Sequence, residues 1–428
     1  MADPATEIDV DLEVQEVLLA ASQHDIPKLR RLLRSNDAAT NPANVKDPET
    51  GASPLHAAIA ACEPEEEEVK TNGAPNGVHS NGEEHTSEQQ ETLQSAVQTV
   101  KLLLQEGAIW NDLDLNDETP GCIAKRLGLD ELYEMVVDAG VRAELLLNRL
   151  DGYEQLSDEE MGDDEEEEQQ QETADASASN TAEEEESAPQ LVESTTAATD
   201  TAQTGEAEPN VTSSRYLSSD LSFQQDRLLD QDQNGVMMAW ETDIMAKSAK
   251  KLLPTPGLRV LNVGHGMGII DGFFQEQSPA SHHIIEAHPD VVAEMRRKGW
   301  HEKPGVHIHE GRWQDILPEL MTQGEMFDAI YYDTFAESYA DFRDFFTEQV
   351  IGILEQEGKW GFFNGMGADR QISYDVYQKV VEMDLFEAGF DVQWEEIAVP
   401  KLEGEWNGVR RPYWSIDKYR LPLCKYMD

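Results

Sequence analysis

Three glycines and one acid are the residues of this chain best spaced to hold a nucleotide. In Arg259 to Gly268, RVLNVGHGMG, an apolar run with β-branched Val260 and Val263 reads as a buried strand. Gly264, Gly266 and Gly268 follow it at once. A second apolar run, HHIIE, ends in Glu286, 22 residues beyond the first glycine. Glycines at a strand-to-helix turn let backbone approach a ligand closely. An acid at the tip of the next strand can accept hydrogen bonds from two ribose hydroxyls. Dinucleotide sites want glycine at the first, third and sixth positions of such a motif, but here the fifth is Gly268 and the sixth is Ile269. The spacing suits a nucleoside ligand that has no pyrophosphate to cradle.

The elements that must position these residues are legible from Arg215 onward, where seven of the eight tryptophans lie. Strands read at 259–263, 282–286, 306–309, 327–333, 358–363, 391–399 and 412–420. Helical stretches at 289–298, 337–354 and 371–388 fall between them. Five strand–helix units followed by a final strand pair predict an α/β, doubly wound, seven-stranded sheet whose last strand is antiparallel. GxGxG after the first strand of such a sheet is the pattern of methyltransferases that use S-adenosylmethionine. The expected fold is that one, over residues 213–428.

The first 150 residues differ in kind. VQEVLLAASQHDIPKLRRLL has apolar residues at helical spacing with a turn at Asp25 and Pro27. Ser53, Pro54, Leu55, His56, Ala57 and Ala58 resemble the T-P-L-H-x-A signature of an ankyrin repeat, and Thr119–Pro120 opens a second such unit. An ankyrin-like helical domain is expected over 1–150, because one helix pair is too thin to bury its own apolar face. Residues 63–92 are rich in Glu, Asn and Gly and read as a disordered insertion. Residues 151–212 read as an acidic disordered linker: 151–214 hold 21 Asp and Glu and no Lys or Arg.

Net charge is −54. Such a field repels nucleic acid and anionic membranes and attracts basic partners. Three widely spaced cysteines argue for a reduced compartment and against a disulfide framework or a zinc site, so no metal is expected. The acidic N-terminus is no signal peptide, and no apolar run reaches the length of a membrane span. The expected setting is the cytoplasm and nucleus.

RVLNVGHGMGIIDGFFQ, HHIIEAHPDVVAEMRRKGW, GRWQDILPEL, FDAIYYDTFAE and GKWGFFNG together resemble guanidinoacetate N-methyltransferase. With the ankyrin-like N-terminus and the ending YWSIDKYRLPLCKY, the chain resembles the fungal type IV protein arginine N-methyltransferases. That resemblance implies methylation of the δ nitrogen of arginine in a basic protein, a large-subunit ribosomal protein, by a monomer using S-adenosylmethionine. It carries cofactor contacts onto Tyr216, Met245, His265, Gly266, Met267, Gly268, Ile269, Ile270, Glu286, Ala287, His288, Trp313, Gln314 and Asp333. Trp313 and Gln314 follow the third strand, where an aromatic face and an amide can flank adenine.

A guanidinium is protonated up to a pKa above about 12 and has no free lone pair, so carboxylates must hold it and take its proton. Two are placed for this. Glu241, in MMAWETDIM, lies on the segment before the first strand, which resembles a substrate lid. Asp333 ends the fourth strand, where open α/β sheets put their sites. Asn364, at the end of the fifth strand, is a candidate third contact. The alternatives are a small-molecule guanidino methyltransferase and a non-catalytic ankyrin scaffold with a degenerate methyltransferase fold. The ankyrin-like domain speaks against the first, and the intact GHGMG, Glu286 and Asp333 against the second.

Overall fold

In the computed structural model, residues 4–34, 41–63, 87–150 and 211–427 are described. The N-terminal part holds helices α1 (Pro4–Ser22), α2 (Ile26–Leu32), α3 (Pro54–Ala60), α4 (Ser87–Gln105), α5 (Pro120–Arg126) and α6 (Asp130–Leu150). The two X-Pro signatures start helices as their chemistry demands. Ser53 and Thr119 are N-caps of α3 and α5, each followed by proline at the first helical position. His56 ties the two units together, with Nδ1 2.8 Å from Ser53 Oγ and Nε2 3.1 Å from the Glu118 carbonyl. Of the insertion expected at 63–92, residues 64–86 lie outside the described residues, and 87–92 are instead the first turns of α4. Their Ser, Glu, Gln and Thr extend the amphipathic helix that follows. Residues 151–210 of the expected linker also lie outside the described residues, and Thr212 caps the next helix.

From there the chain runs through α7 (Ser213–Leu217), a small antiparallel sheet β1 (Ser222–Phe223), β2 (Arg227–Leu229) and β3 (Gly235–Met238), and α8 (Thr242–Leu252). The large sheet follows: β4 (Arg259–Val263), α9 (Ile269–Glu276), β5 (Ser281–Glu286), α10 (Pro289–Arg297), β6 (Val306–Glu310), α11 (Trp313–Gln323) and β7 (Phe327–Tyr332). Next come α12 (Tyr339–Asp344), a π-helical stretch Phe345–Val350, and α13 (Ile351–Ile353). The chain closes with β8 (Leu354–Phe362), α14 (Gln371–Glu387), β9 (Phe390–Ala398) and β10 (Lys418–Tyr426). Strand order is β6-β5-β4-β7-β8-β10-β9, with β10 antiparallel to both neighbours. Between β4 and β7 the chain reverses its direction of travel across the sheet, which opens a crevice beyond their carboxyl ends. Both faces are covered: Val260 and Ile284 pack in one core, Leu261, Val263 and Ile330 in the other. That is why these strands read as continuous apolar runs.

The seventh strand is a correction. It was expected at 412–420 and lies at 418–426. Trp414 and Ile416 are buried as their alternation implied, but in a loop that packs on Tyr374, Ile397 and Tyr419. Pro422, which argues against a central strand, sits where only Cys424 is in register with Trp360 of β8.

The helical part and the sheet share a core. Ile372, Val376 and Val380 of α14 join Leu29, Leu55, Trp110, Ile123 and Val136 in one apolar cluster. Tyr133 donates to Asp375 at 2.6 Å and Tyr377 to Glu144 at 3.2 Å across the same seam. α14 therefore has one face for the sheet and one for the N-terminal helices.

Candidate active site

The glycine loop sits on a buried electrostatic anchor. Asp271, with 0 % exposure, accepts from Asn262 Nδ2 at 2.9 Å and lies 2.6 Å from His265 Nδ1 and 2.8 Å from His282 Nε2. Burial alone would raise its pKa, but the two imidazoles hold it down at about 2. His265 is thus fixed at the base of the loop. Gly268, at φ +79°, leaves room for it, since a Cβ there would stand 2.7 Å from the imidazole. Gly264 is tighter still. A Cβ at 264 would lie 1.9 Å from the Asp333 carbonyl oxygen, so only glycine lets the ends of β4 and β7 close.

Glu286 ties the loop to the tip of β5. Its Oε2 accepts from the backbone amides of His265 at 2.8 Å and Gly266 at 3.4 Å, and Oε1 accepts from that of His288 at 2.7 Å. It also lines a cleft with about 620 Å³ of free space, together with Tyr216, Gly264, Gly266, Ala287, Trp313 and Asp333. The other expected contacts stand behind this wall. Met245 and Ile270 are core residues, and Ile269 packs against the same core. The Met267 amide meets Met237 Sδ at 3.2 Å. His288 Nε2 lies 3.0 Å from the Tyr216 carbonyl, bracing α7. Gln314 flanks the wall residue Trp313, and its buried Oε1 has no hydrogen-bond partner among the described residues.

The cleft brings together the glycine loop, the Glu286 carboxylate and the Trp313 ring, the kinds of group a nucleoside needs. Glu286→Ala removes both a charged acceptor facing the cleft and the clamp on two loop amides. Cofactor affinity measured by calorimetry is expected to fall roughly ten- to a hundred-fold. Unchanged affinity would take Glu286 out of the site.

A second chamber, with about 900 Å³ of free space, adjoins the first. Asp333, Thr334, Phe335, Glu337 and Val236 line both. Glu241, 3 % exposed, stands in its wall and accepts from the Tyr413 hydroxyl, which itself accepts from Trp240 Nε1 at 3.2 Å. Burial raises the Glu241 pKa well above the usual range, and the neighbouring Asp333 charge adds to this. Asp333 donates its amide to the Val263 carbonyl at 2.9 Å, while its buried Oδ2 has no partner among the described residues. Burial pushes its carboxyl up to about 7, with the Asp271 charge adding to the effect. Beside the apolar walls Phe342, Phe362, Phe363 and Met366 stand two carboxyls of high proton affinity, which once ionised can hold a cation.

Asn364 is not in that wall. Its Nδ2 donates to the Tyr374 hydroxyl at 3.0 Å and the Arg420 carbonyl at 3.1 Å, bracing the scaffold behind it. Three wall residues were not among the expected contacts. Gly264 was visible as the first glycine of the motif. Glu337 lies four residues beyond Asp333 in the same loop. Tyr413 meets Glu241 across 172 residues, and no local pattern announces it.

Residues 213–402 match the family model for guanidinoacetate N-methyltransferase. The chain is 82 % identical to Protein arginine N-methyltransferase 2 of Emericella nidulans, covering 100 % of both chains. Identity to the protein of that name from Aspergillus fumigatus is 74 %, again over 100 % of each. The one from Neurospora crassa is 46 % identical over 98 % of this chain and 97 % of its own.

Proposed function

Because the chain belongs to the protein arginine N-methyltransferase 2 family, which uses S-adenosylmethionine, we propose that it methylates the δ nitrogen of arginine in a basic ribosomal protein. One observation carries the reading most: Asp333 lines both compartments, where a cofactor cleft meets a chamber holding a second carboxylate, Glu241. When bound, S-adenosylmethionine supplies an electrophilic methyl group on a sulfonium. Glu286 is placed for the ribose hydroxyls and Trp313 for an adenine face. Glu241 and Asp333 hold the guanidinium in the adjoining chamber, and Phe342, Phe362 and Phe363 cover its methylene stem. Positioning then supplies much of the rate. Asp333, with its raised proton affinity, would take the proton that the arginine nitrogen must shed.

The N-terminal helices, read as an ankyrin-like module, and the acidic charge of the chain suit a cationic protein partner. The cytoplasm and nucleus are the proposed setting. Labelled cofactor, the purified enzyme and a ribosomal protein fraction test the reading. Acid hydrolysis of the labelled product should release δ-N-methylarginine, and methylation at a terminal nitrogen would overturn it.

The pH profile follows from Asp333. Its carboxyl must be ionised to hold the guanidinium, and in the free enzyme it ionises at about 7. The guanidinium stays charged throughout. Peptide kcat/KM should therefore climb as pH rises through about 7 and keep climbing above it, since Glu241, whose carboxyl is also raised by burial and by the Asp333 charge, must ionise too and kcat/KM reports groups of the free enzyme. A profile flat through that window would remove Asp333 as the titrating group.

A further inference from the structure

The chamber that faces Asp333 and Glu241 carries a third carboxylate, Glu337, and no Lys, Arg or His among the described residues lining it. Glu337 is not free to swing away. Trp313 Nε1 donates to its Oε1 at 3.0 Å and its Oε2 at 3.1 Å, and the Tyr332 hydroxyl donates to Oε2. Both donors belong to rigid elements, α11 and β7. The carboxylate is thereby fixed on the boundary between cleft and chamber. One cationic guanidinium can satisfy Asp333 and Glu241, which leaves Glu337 as surplus negative charge in the lining of the chamber. A short guanidino acid would bring its own carboxylate into a chamber with no cationic side chain among the described residues lining it, Arg312 lining the neighbouring cleft instead. A peptide-bound arginine presents only a neutral stem.

We propose that Glu337 is a specificity-determining residue, which excludes guanidino acids by charge and so confines the site to arginine held in a polypeptide. The proposal rests on the guanidinium reading of the chamber. It accounts for a chamber whose charged side chains are all of one sign. Glu337 also orients the Trp313 indole, so a test must separate the two roles. Glu337→Gln does this, because its amide oxygen still accepts from Trp313 and Tyr332 while the charge is gone.

Competition against methylation of a one-arginine peptide by the full-length chain supplies the measurement, with propylguanidine and 3-guanidinopropionate as inhibitors. These match in length and differ in a single carboxylate. Wild-type enzyme should bind propylguanidine at least about tenfold more tightly, as expected of uncompensated like charge. In E337Q that gap should narrow by about tenfold, while a purely structural role would shift both inhibitors together. Equal inhibition by the two compounds in wild type, or an unchanged gap in E337Q, overturns the role of Glu337. If neither compound competes although the peptide is methylated, the guanidinium reading of the chamber falls, and this inference falls with it.

Discussion

Asp333→Asn and Glu241→Gln should each lower turnover of a one-arginine peptide by at least about a hundred-fold, the range for losing a positioned proton acceptor or a charge partner. Both changes keep shape and remove charge, and each replaces one acceptor oxygen with a donating NH2. The two should differ in a second reading. Glu241 lines the substrate chamber alone, whereas Asp333 lines the chamber and the cofactor cleft. Glu241→Gln should therefore leave cofactor affinity close to wild type, and Asp333→Asn should weaken both ligands. The double mutant should lose much less than the product of the single effects, because a guanidinium released by one carboxylate no longer benefits from the other. Steady-state kinetics with calorimetry for the cofactor decide it. Near-normal turnover in either single mutant would refute the paired-carboxylate mechanism.

Gly264→Ala should be nearly as damaging, for a mechanical reason. At φ +93° the residue occupies backbone space that side chains avoid, and its Cβ would stand 1.9 Å from a carbonyl oxygen. The strained conformation costs roughly 1–3 kcal/mol, and overpacking costs roughly 1–3 kcal/mol more. The obstacle is the backbone of Asp333 itself, so relief must come by parting the ends of β4 and β7. That displaces the loop and the carboxylate together. A melting temperature lowered by several degrees and a loss of cofactor binding of at least about a hundred-fold are expected. Gly272→Ala, one turn into α9, is the control. A Cβ there meets nothing within 4 Å, and the change should stabilise by up to about 1 kcal/mol. Equal behaviour of the two variants would show that the close approach at Gly264 has no consequence.

Three residues that line the cleft were legible in the sequence because each sits at the end of a strand. A strand covered on both faces is a continuous apolar run, and the polar or glycine residue that ends it marks the carboxyl edge of the sheet. Gly264, Glu286 and Asp333 are found that way, from neighbours in the chain alone. Glu241 was reached only by resemblance, since a lone acid before a helix has no local mark. What the tertiary structure decided is how these ends are held. Asp271 lies in an ordinary helical turn, yet it fastens the loop through His265 and through His282 from the next strand. Tyr413 reaches Glu241 from a loop whose Trp414 and Ile416 mimic a strand by alternating burial. Glu337, four residues beyond Asp333 in sequence, acquires its place only when Trp313 and Tyr332 clamp it. α14 shows two apolar faces, and nothing in its own pattern says that one belongs to the N-terminal helices. Periodicity records whether a side chain is buried, because burial depends on the element's own geometry. It does not record against what, because that choice depends on distant segments that meet only when the chain has folded.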